Sequence, residues 1–225
     1  MLIDATGRAA RLARHPPSRL AQADRLVGSF VTLPDGGAMR DTLIEAVPDG
    51  WWFATRLPDG RRVLGCMTDA DILRRSRLGS AEGWRTALAA TRFARLHWGG
   101  ETVTEAPCLT AAGSRGLRDR GPGAFLAVGD ALCCFDPISG LGIVKALRSG
   151  VFAAYATADW LRGDATAIGR YQALAEREYA GYLHTLGDYY RQEMRWPDRP
   201  FWKRRHGPSA GNMPQGPDQD RLAAS

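Results

Sequence analysis

The sequence lacks any long apolar run, and no stretch of about eighteen consecutive apolar residues occurs in its 225 residues. A membrane-spanning helix is therefore not expected. The first residues, MLIDATGR, contain no charged region followed by an apolar stretch, so they do not resemble a secretory signal. Together these two absences predict a cytoplasmic protein without a membrane span.

Spacing typical of metal ligands is missing as well. None of the four cysteines belongs to a C-x-x-C pair, and the four histidines lie far apart in the chain. We therefore expect no metal site. The cysteines are interpreted as reduced residues of a cytosolic protein; they are Cys66, Cys108, Cys133 and Cys134.

A concentrated basic patch is also absent, although the net charge is +6. The arginine pairs are short and scattered, whereas a nucleic-acid surface needs clustered basic residues, preferably with stacking aromatic rings. No nucleic-acid partner is expected. An anionic cofactor or substrate is a simpler use of the charge.

Residues 26–67 alternate in a way that favours antiparallel strands. Four candidate strands cover residues 26–31, 41–47, 51–57 and 62–67, and Pro-Asp-Gly sequences separate them at residues 34–37, 48–50 and 58–60. Proline presets one backbone angle of such a turn and glycine accepts a positive φ. An antiparallel meander is therefore predicted for this stretch.

Helical and strand signals follow in both directions from this meander. A short strand is predicted at residues 1–7, a helix at 80–97 with Ser80 as its N-cap, and a strand at 102–109. A polar loop at 113–123 precedes an apolar run at 124–128, which is typical of a buried parallel strand. Two helices are predicted at 143–161 and 166–192, and a disordered tail at 196–225.

The stretch that follows residue 128 carries the chemical signal. A strand runs into Gly129-Asp130, then into Asp136-Pro137-Ile138-Ser139-Gly140-Leu141-Gly142, and then into a helix. Helix N-termini offer unpaired N–H groups and a positive dipole end, and glycines let a flat ligand approach the backbone. The pattern favours a ring with an electron-rich carbonyl edge, while a plain turn with a capping aspartate and two glycines remains the alternative.

Three segments resemble flavoproteins in the same chain order. Gly129-Asp130-Ala131 with 136–143 resembles the second FAD motif of flavoprotein monooxygenases, the superfamily that includes tryptophan halogenases and geranylgeranyl reductases. Ile3-Asp4-Ala5-Thr6-Gly7 is similar to the D-A-T-G strand end of that superfamily, and 48–52 is similar to its strand entry over the flavin. The resemblance implies an incomplete glutathione-reductase-like FAD domain, in an α/β (mixed α+β) fold with an antiparallel substrate sheet and long C-terminal helices.

The resemblance also implies roles for individual residues. FAD would be the cofactor, and its binding residues would be Asp4, Gly7, Gly129, Asp130, Pro137, Gly140, Leu141 and Gly142. Trp51, Trp52 and Phe53 would line the substrate pocket, with ordinary sheet packing as the alternative for each. No catalytic acid or base is identified. The Ser139-Gly140-Leu141-Gly142 form is closer to hydroxylase-like members, or to flavoproteins that mature quinone cofactors in partner enzymes.

One family motif has no counterpart in the sequence. No G-x-G-x-x-G, whose helix would hold the FAD pyrophosphate, precedes Asp4. We therefore expect a chain truncated at its N-terminus. Its predicted domains are a partial FAD domain (1–25 and 101–165), a substrate sheet (26–100), a helix (166–195) and the tail (196–225).

The expected function is oxidation of an apolar or aromatic substrate by an FAD-dependent, hydroxylase-like or halogenase-like oxidoreductase. The substrate would be a small molecule or a protein-borne aromatic group. The partner would be a flavin reductase or the missing N-terminal half. The alternatives are a non-catalytic remnant and a protein-interaction module that does not bind FAD alone.

Overall fold

The computed structural model describes residues 1–13, 18–34, 41–100, 103–118 and 125–207, and these fall into two compact units. The first unit consists of the described residues of 1–24 and 113–189, and the second of those of 25–112 and 190–207. Each unit therefore combines two stretches that lie far apart in the chain.

The described residues form ten strands and five α-helices, besides short 3-10 turns. The strands are β1 (Leu2–Asp4), β2 (Arg19–Gln22), β3 (Leu26–Leu33), β4 (Leu43–Val47), β5 (Gly50–Arg56), β6 (Arg62–Asp69), β7 (Cys108–Ala111), β8 (Arg115–Arg118), β9 (Phe125–Ala127) and β10 (Cys133–Cys134). The helices are α1 (Ala70–Arg75), α2 (Ala81–Ala89), α3 (Gly142–Leu161), α4 (Ala167–Arg191) and α5 (Pro200–His206).

Two small sheets and two long helices build the first unit. Strands β1 and β9 pair in parallel, and β8 lies between β10 and β2 in an antiparallel sheet. Apolar residues of these strands pack with the inner faces of α3 and α4. Tyr171, Tyr179 and Tyr182 of α4 are buried in this core, because a 3.6-residue period brings them to one face of the helix.

The second unit is built on the four predicted antiparallel strands, which the structure confirms. The predicted meander is correct only for β4, β5 and β6, because β3 pairs with β6 and not with β4. The order is β4-β5-β6-β3-β7, and every neighbouring pair is antiparallel. Gly50, where the turn meets the first residue of β5, has a φ of +151°, and a Cβ there would meet the carbonyl oxygen of Met67 at 2.1 Å. Glycine is therefore required at this turn. The turn predicted at 34–37 falls largely outside the described residues.

One face of this sheet is covered by α2 and by a 3-10 turn at 94–97. The ring of Trp52 packs edge-on against Trp84 at 5.2 Å between centroids, and both side chains are at least 98% buried. Ser80 caps α2 as predicted, since its hydroxyl oxygen accepts from the backbone N–H of Gly83 at 3.1 Å. The predicted helix at 80–97 is too long, because α2 ends at Ala89.

Helix α5 corrects the prediction of a disordered tail from residue 196. Phe201 and Trp202 are buried, and the Trp202 indole N–H donates to the carbonyl of Val47 at 2.9 Å. The guanidinium of Arg205 bonds to the buried carboxylate of Asp69 at 2.8 Å and lies 3.6 Å from the centroid of the Phe201 ring. Two aromatic anchors and an ion pair therefore order a segment whose composition resembles a tail. Residues 208–225 lie outside the described part.

Other sequence predictions also need correction. The predicted loop at 113–123 contains strand β8, whose first half pairs with β10 and whose whole length pairs with β2. The strand predicted at 102–109 is β7, which starts at Cys108 and belongs to the second unit's sheet. The first predicted strand is shorter than residues 1–7, since β1 ends at Asp4, and its Leu2 and Ile3 are 53% and 40% exposed.

The four cysteines are free thiols, and only Cys108 is exposed. Burial raises the pKa of the Cys66 thiol far above its usual value. Within the described residues, no group of three or more histidine, cysteine or acidic side chains could hold a metal ion. No helix in that same part of the chain is both long and apolar enough to cross a bilayer.

Candidate functional site

Strands β1 and β9 bring two of the predicted motifs together in the first unit. Asp4 lies opposite Ala127 in the parallel register, and the N–H of Val128 donates to the Asp4 carbonyl at 2.9 Å. Both strands therefore end at the same edge, where ligands bind in parallel sheets. The Gly129-Asp130 turn follows β9 at this edge, and the Thr6-Gly7 turn follows β1.

Helix α3 holds the Gly129-Asp130 turn through two of its own side chains. Gly129 has a φ of +59°, and its N–H donates to the hydroxyl of Ser149 at 2.8 Å. Asp130 accepts from the ammonium of Lys145 at 2.6 Å, through one carboxylate oxygen. Because Lys145 and Ser149 lie four residues apart, one face of α3 supplies both contacts.

The segment from Asp136 to Ser139 forms a tight 3-10 turn. The buried carboxylate of Asp136 accepts from the N–H of Ile138 at 2.9 Å, so it caps the turn. The hydroxyl of Ser139 donates to the carbonyl of Asp136 at 2.8 Å. Pro137 occupies the first position of the turn with an exposed ring, so it provides a rigid apolar surface.

Tyr182 of α4 anchors this turn from below. Its hydroxyl oxygen accepts from the Asp136 N–H at 2.5 Å and shares a hydrogen bond with the Ser114 hydroxyl at 2.7 Å. Its ring stacks on Phe135 with centroids 3.8 Å apart. Burial, and the nearby Asp136 carboxylate, raise the pKa of Tyr182 well above its ordinary value, so the phenol stays protonated.

Gly140, Leu141 and Gly142 lead into α3 on an open surface. Gly140 has a φ of +63°, and a Cβ at Gly140 or Gly142 would meet no atom within 4 Å. Leu141 is the N-cap residue, and no side chain caps the helix there. The first N–H groups of a twenty-residue helix therefore face an accessible surface with the positive end of the helix dipole.

Asp4 is completely buried, and its carboxylate is fully engaged. One oxygen accepts from the N–H and hydroxyl of Thr6, and the other accepts from the N–H groups of Leu12 and Ala13, at 2.6 to 2.9 Å. Burial raises its pKa, but the hydrogen bonds outweigh burial and hold the pKa below its usual value. Asp4 thus organises the loop after β1 and offers no exposed oxygen to a ligand.

Gly7 lies within that loop and has a φ of +64°. A Cβ at this position would meet no atom within 4 Å, so space lies open beside the backbone. The left-handed conformation explains why glycine stands here.

The aromatic residues predicted to line a substrate pocket lie in the second unit, on opposite faces of β5. Trp52 belongs to the buried core under α2. Trp51 is buried on the other face, where its indole N–H donates to the hydroxyl of Tyr190 at 3.0 Å. Phe53 shares that face and packs edge-on against Phe30 at 5.6 Å. Side chains alternate along a strand, so Trp52 does not share a surface with its neighbours.

Lys145, Ser149 and Tyr182 are site residues that sequence reasoning did not identify. Lys145 and Ser149 are polar residues four apart in the mostly apolar first half of α3, which is a signal that could have been used. Tyr182 gives no such signal, because it lies 46 residues from the turn that it anchors and resembles the other core tyrosines of α4.

Comparison with known proteins links this arrangement to flavoproteins. No family model matches the chain. A protein of Marinomonas mediterranea, named as an FAD-dependent oxidoreductase, LodB, is 35% identical over 212 residues. The match covers 93% of this chain and 57% of LodB, so the chain spans little more than half the length of this relative.

Solved structures share the fold. CmlS, a flavin-dependent halogenase, superposes with a TM-score of 0.74 at 24% identity, over 98% of this chain and 41% of that one. QhpG, a peptidyl tryptophan dihydroxylase essential for tryptophylquinone cofactor biogenesis, superposes with a TM-score of 0.76 at 24% identity, over 92% of this chain and 48% of that one. The match to LodB confirms the resemblance to FAD-dependent oxidoreductases, and the halogenase and dihydroxylase structures confirm a mixed α/β fold with antiparallel sheets and C-terminal helices.

Proposed function

We propose that this chain carries the flavin-ring part of the cofactor site of an FAD-dependent oxidoreductase. The observation that supports this most directly is the uncapped start of α3, which faces an accessible surface and where a Cβ at Gly140 or Gly142 would meet no atom within 4 Å. A reduced flavin gathers negative charge at one carbonyl edge of its ring, and helix N-termini stabilise such charge. The first unit would then be the incomplete glutathione-reductase-like FAD domain expected from the sequence.

The residues present fit a flat, partly anionic ring. Neither glycine has a neighbour in the position of a side chain, and the ring of Pro137 is exposed. Gly142 would donate its backbone N–H to the carbonyl edge, and Pro137 would provide an apolar wall. The N–H groups of Gly140 and Leu141 already donate to the Pro137 carbonyl at 3.0 Å and to the Ser139 hydroxyl at 3.3 Å, so these two residues would line the edge without donating to it. When bound, FAD would supply the electron transfer and oxygen chemistry, while these residues hold and orient it.

Asp130 would bind the sugar-alcohol chain of the cofactor. Its side chain is 38% exposed, and among the described residues only Lys145 is bonded to it, through one oxygen. The second oxygen can therefore accept from a ligand hydroxyl. Gly129 would contribute the positive φ that directs Asp130 outward.

Asp4 and Gly7 would act differently from one another. Because the Asp4 carboxylate is saturated by its own loop, we propose that it shapes the loop after β1 and does not touch FAD. The open space beside Gly7 would admit the part of the cofactor nearest the pyrophosphate.

The substrate would be apolar or aromatic. Phe53 is half-buried on the sheet face opposite α2, where it packs edge-on against Phe30 and at a tilt against Trp51, which supports a pocket role for Phe53 and for the neighbouring Trp51. QhpG is named for its action on a peptidyl tryptophan, which supports a protein-borne aromatic group as a candidate substrate in addition to a small molecule. Trp52 is left out of the pocket because it fills the core.

The adenine end of FAD would be held by polypeptide outside the matched region. The chain covers 57% of LodB and the sequence contains no G-x-G-x-x-G, so a complementary segment or a separate partner would complete the site in the cytoplasm. A flavin reductase is a second candidate partner. If the chain is instead a non-catalytic remnant or an interaction module, we expect it to be folded but not to bind FAD.

Titration of the purified chain with FAD tests the proposal. We expect the visible absorbance of FAD to shift and its fluorescence to change on binding, and Asp130→Ala to weaken binding about tenfold through the loss of one charged hydrogen bond. Asp59→Ala is the matched control, since Asp59 is an exposed aspartate whose described partner is Arg61. A folded chain that leaves FAD unchanged would favour the alternatives.

A further inference from the structure

We propose that Lys145 is a positioning residue of the flavin site: it fixes the carboxylate of Asp130 and cancels its charge, so that Asp130 can accept from an anionic cofactor. This inference rests on the proposed function. Lys145 is unusual for a lysine because its side chain is only 6% exposed, and lysine rarely lies inside proteins unless it is paired.

The ammonium group of Lys145 is held on three sides. It donates to the Asp130 carboxylate at 2.6 Å and to the Cys133 carbonyl at 2.5 Å, and it lies 5.4 Å from the centroid of the Phe135 ring. A lysine ammonium has three donors, and an aromatic face within about 6 Å attracts the cation. Its contacts thus tie both sides of the turn between β9 and β10 to α3.

The position of the charge distinguishes this lysine from a purely structural residue. The partner carboxylate is 38% exposed, so one end of the ion pair lies in the interior and the other meets the surface where Asp130 would bind FAD. An unpaired carboxylate there would repel the phosphates and the reduced ring of the cofactor. With Lys145 present the pair is neutral, while the second Asp130 oxygen keeps its ability to accept a hydrogen bond.

The other side chains that hold the 129–134 turn carry no charge, so only Lys145 can neutralise Asp130 among them. Ser149 accepts from the Gly129 N–H and so fixes the backbone of the same turn without any charge. The Cys134 thiol lies 3.3 Å from the Asp130 carbonyl and fixes the backbone from the other side. Because Ser149 and Cys134 hold the backbone of the turn, Lys145→Met should remove the charge while the turn remains folded.

A double-mutant cycle measures the proposed coupling. We expect Lys145→Met to weaken FAD binding about tenfold, because the carboxylate of Asp130 is left uncompensated. In an Asp130→Asn background the same change should cost less than about twofold, since no charge remains to be cancelled. Lys145→Met should also make the midpoint potential of the bound flavin more negative, because the uncompensated Asp130 carboxylate would repel the anionic reduced form.

Lys203→Met is the matched control, because Lys203 is exposed on α5 in the second unit. The inference is overturned if Lys145→Met binds FAD as this control does, or if its cost stays tenfold with Asn at position 130, which would indicate packing alone. Wild-type chain that binds no flavin overturns the proposed function and the cofactor role together. Amide hydrogen exchange at residues 129–134 then tests separately whether Lys145 stabilises the turn. Faster local exchange in Lys145→Met, in a turn that is still folded, supports this, and unchanged exchange refutes it.

Discussion

The carboxylate of Asp4 shows how one side chain shapes the edge where the motifs meet. It accepts four hydrogen bonds from Thr6, Leu12 and Ala13, and it has no exposed surface. We expect Asp4→Asn to destabilise the first unit by about 3 kcal/mol, because the new amide N–H₂ would face donors that the buried carboxylate now accepts from. Urea unfolding at pH 7 measures the change.

The pH dependence gives this prediction a second test. The folded pKa of Asp4 lies below its usual value of 3.8, so its stabilising effect is present above that value and is lost as the pH falls through the folded pKa. The difference between wild type and Asp4→Asn should therefore shrink in strong acid. Asp59→Asn in an exposed turn is the control, and an equal effect of both substitutions would contradict the prediction.

Two neighbouring tyrosines of α4 offer a matched comparison. The Tyr182 hydroxyl accepts from the Asp136 N–H, whereas the buried Tyr179 hydroxyl has no hydrogen-bond partner among the described residues. We expect Tyr182→Phe to cost about 1.5 kcal/mol and to weaken FAD binding, because the turn carrying Pro137 loses its anchor. Tyr179→Phe should be neutral or slightly stabilising.

Thermal unfolding and FAD titration of both variants check this prediction. Equal behaviour of the two phenylalanine variants would show that ring packing, and not the hydroxyl, holds the turn. The same pair explains the limit of sequence reasoning at this scale. Gly129, Asp130 and Gly140 were recognisable because local spacing encodes a turn, while the hydroxyl of Tyr182 is selected by a contact that crosses 46 residues.

Helix α5 is held by contacts with residues far away in the chain. Arg205 is nearly buried, bonds to Asp69 and lies over the Phe201 ring. We expect Arg205→Ala to destabilise the second unit by about 3 kcal/mol, since Asp69 loses one of its two arginine partners in a buried position. Lys203→Ala on the same helix should change stability by less than about 0.5 kcal/mol.

Tryptophan fluorescence during denaturation measures both α5 variants, because Trp202 lies on this helix and reports its release. A similar loss for Lys203→Ala would contradict a specific role of Arg205.

The sequence predicted strands β3 to β6 well, since Pro-Asp-Gly turns mark their ends locally. It did not predict α5 or β8, because charged and glycine-rich stretches acquire structure only from distant partners.

The charge of the whole molecule has a kinetic consequence. With a net charge of +6, the chain should attract FAD, whose phosphates are negative, and salt should screen this attraction. We expect the association rate of FAD to fall several-fold between about 0.01 and 0.15 M salt. Stopped-flow fluorescence measures it, with uncharged riboflavin as the control whose rate should stay constant.

At the scale of the whole molecule, the sequence indicated the mixed fold but not the composition of each unit. The prediction assigned residues 101–112 and the long final helix by their neighbours in the chain, whereas β7 joins the second unit and most of α4 joins the first. Strand pairing and core burial decide such membership, and neither is visible in local patterns. The resemblance to flavoproteins depended instead on short motifs, which local spacing preserves.

The burial of the thiols allows the rate of local opening to be measured in each unit. Cys108 is exposed on β7, while Cys66, Cys133 and Cys134 are buried. A thiol-reactive dye should therefore attach to Cys108 at once, and to the other three only as fast as their surroundings open. Because Cys133 and Cys134 lie in the first unit and Cys66 in the second, mass spectrometry of the labelled peptides would time the opening of each unit separately in an unmodified chain.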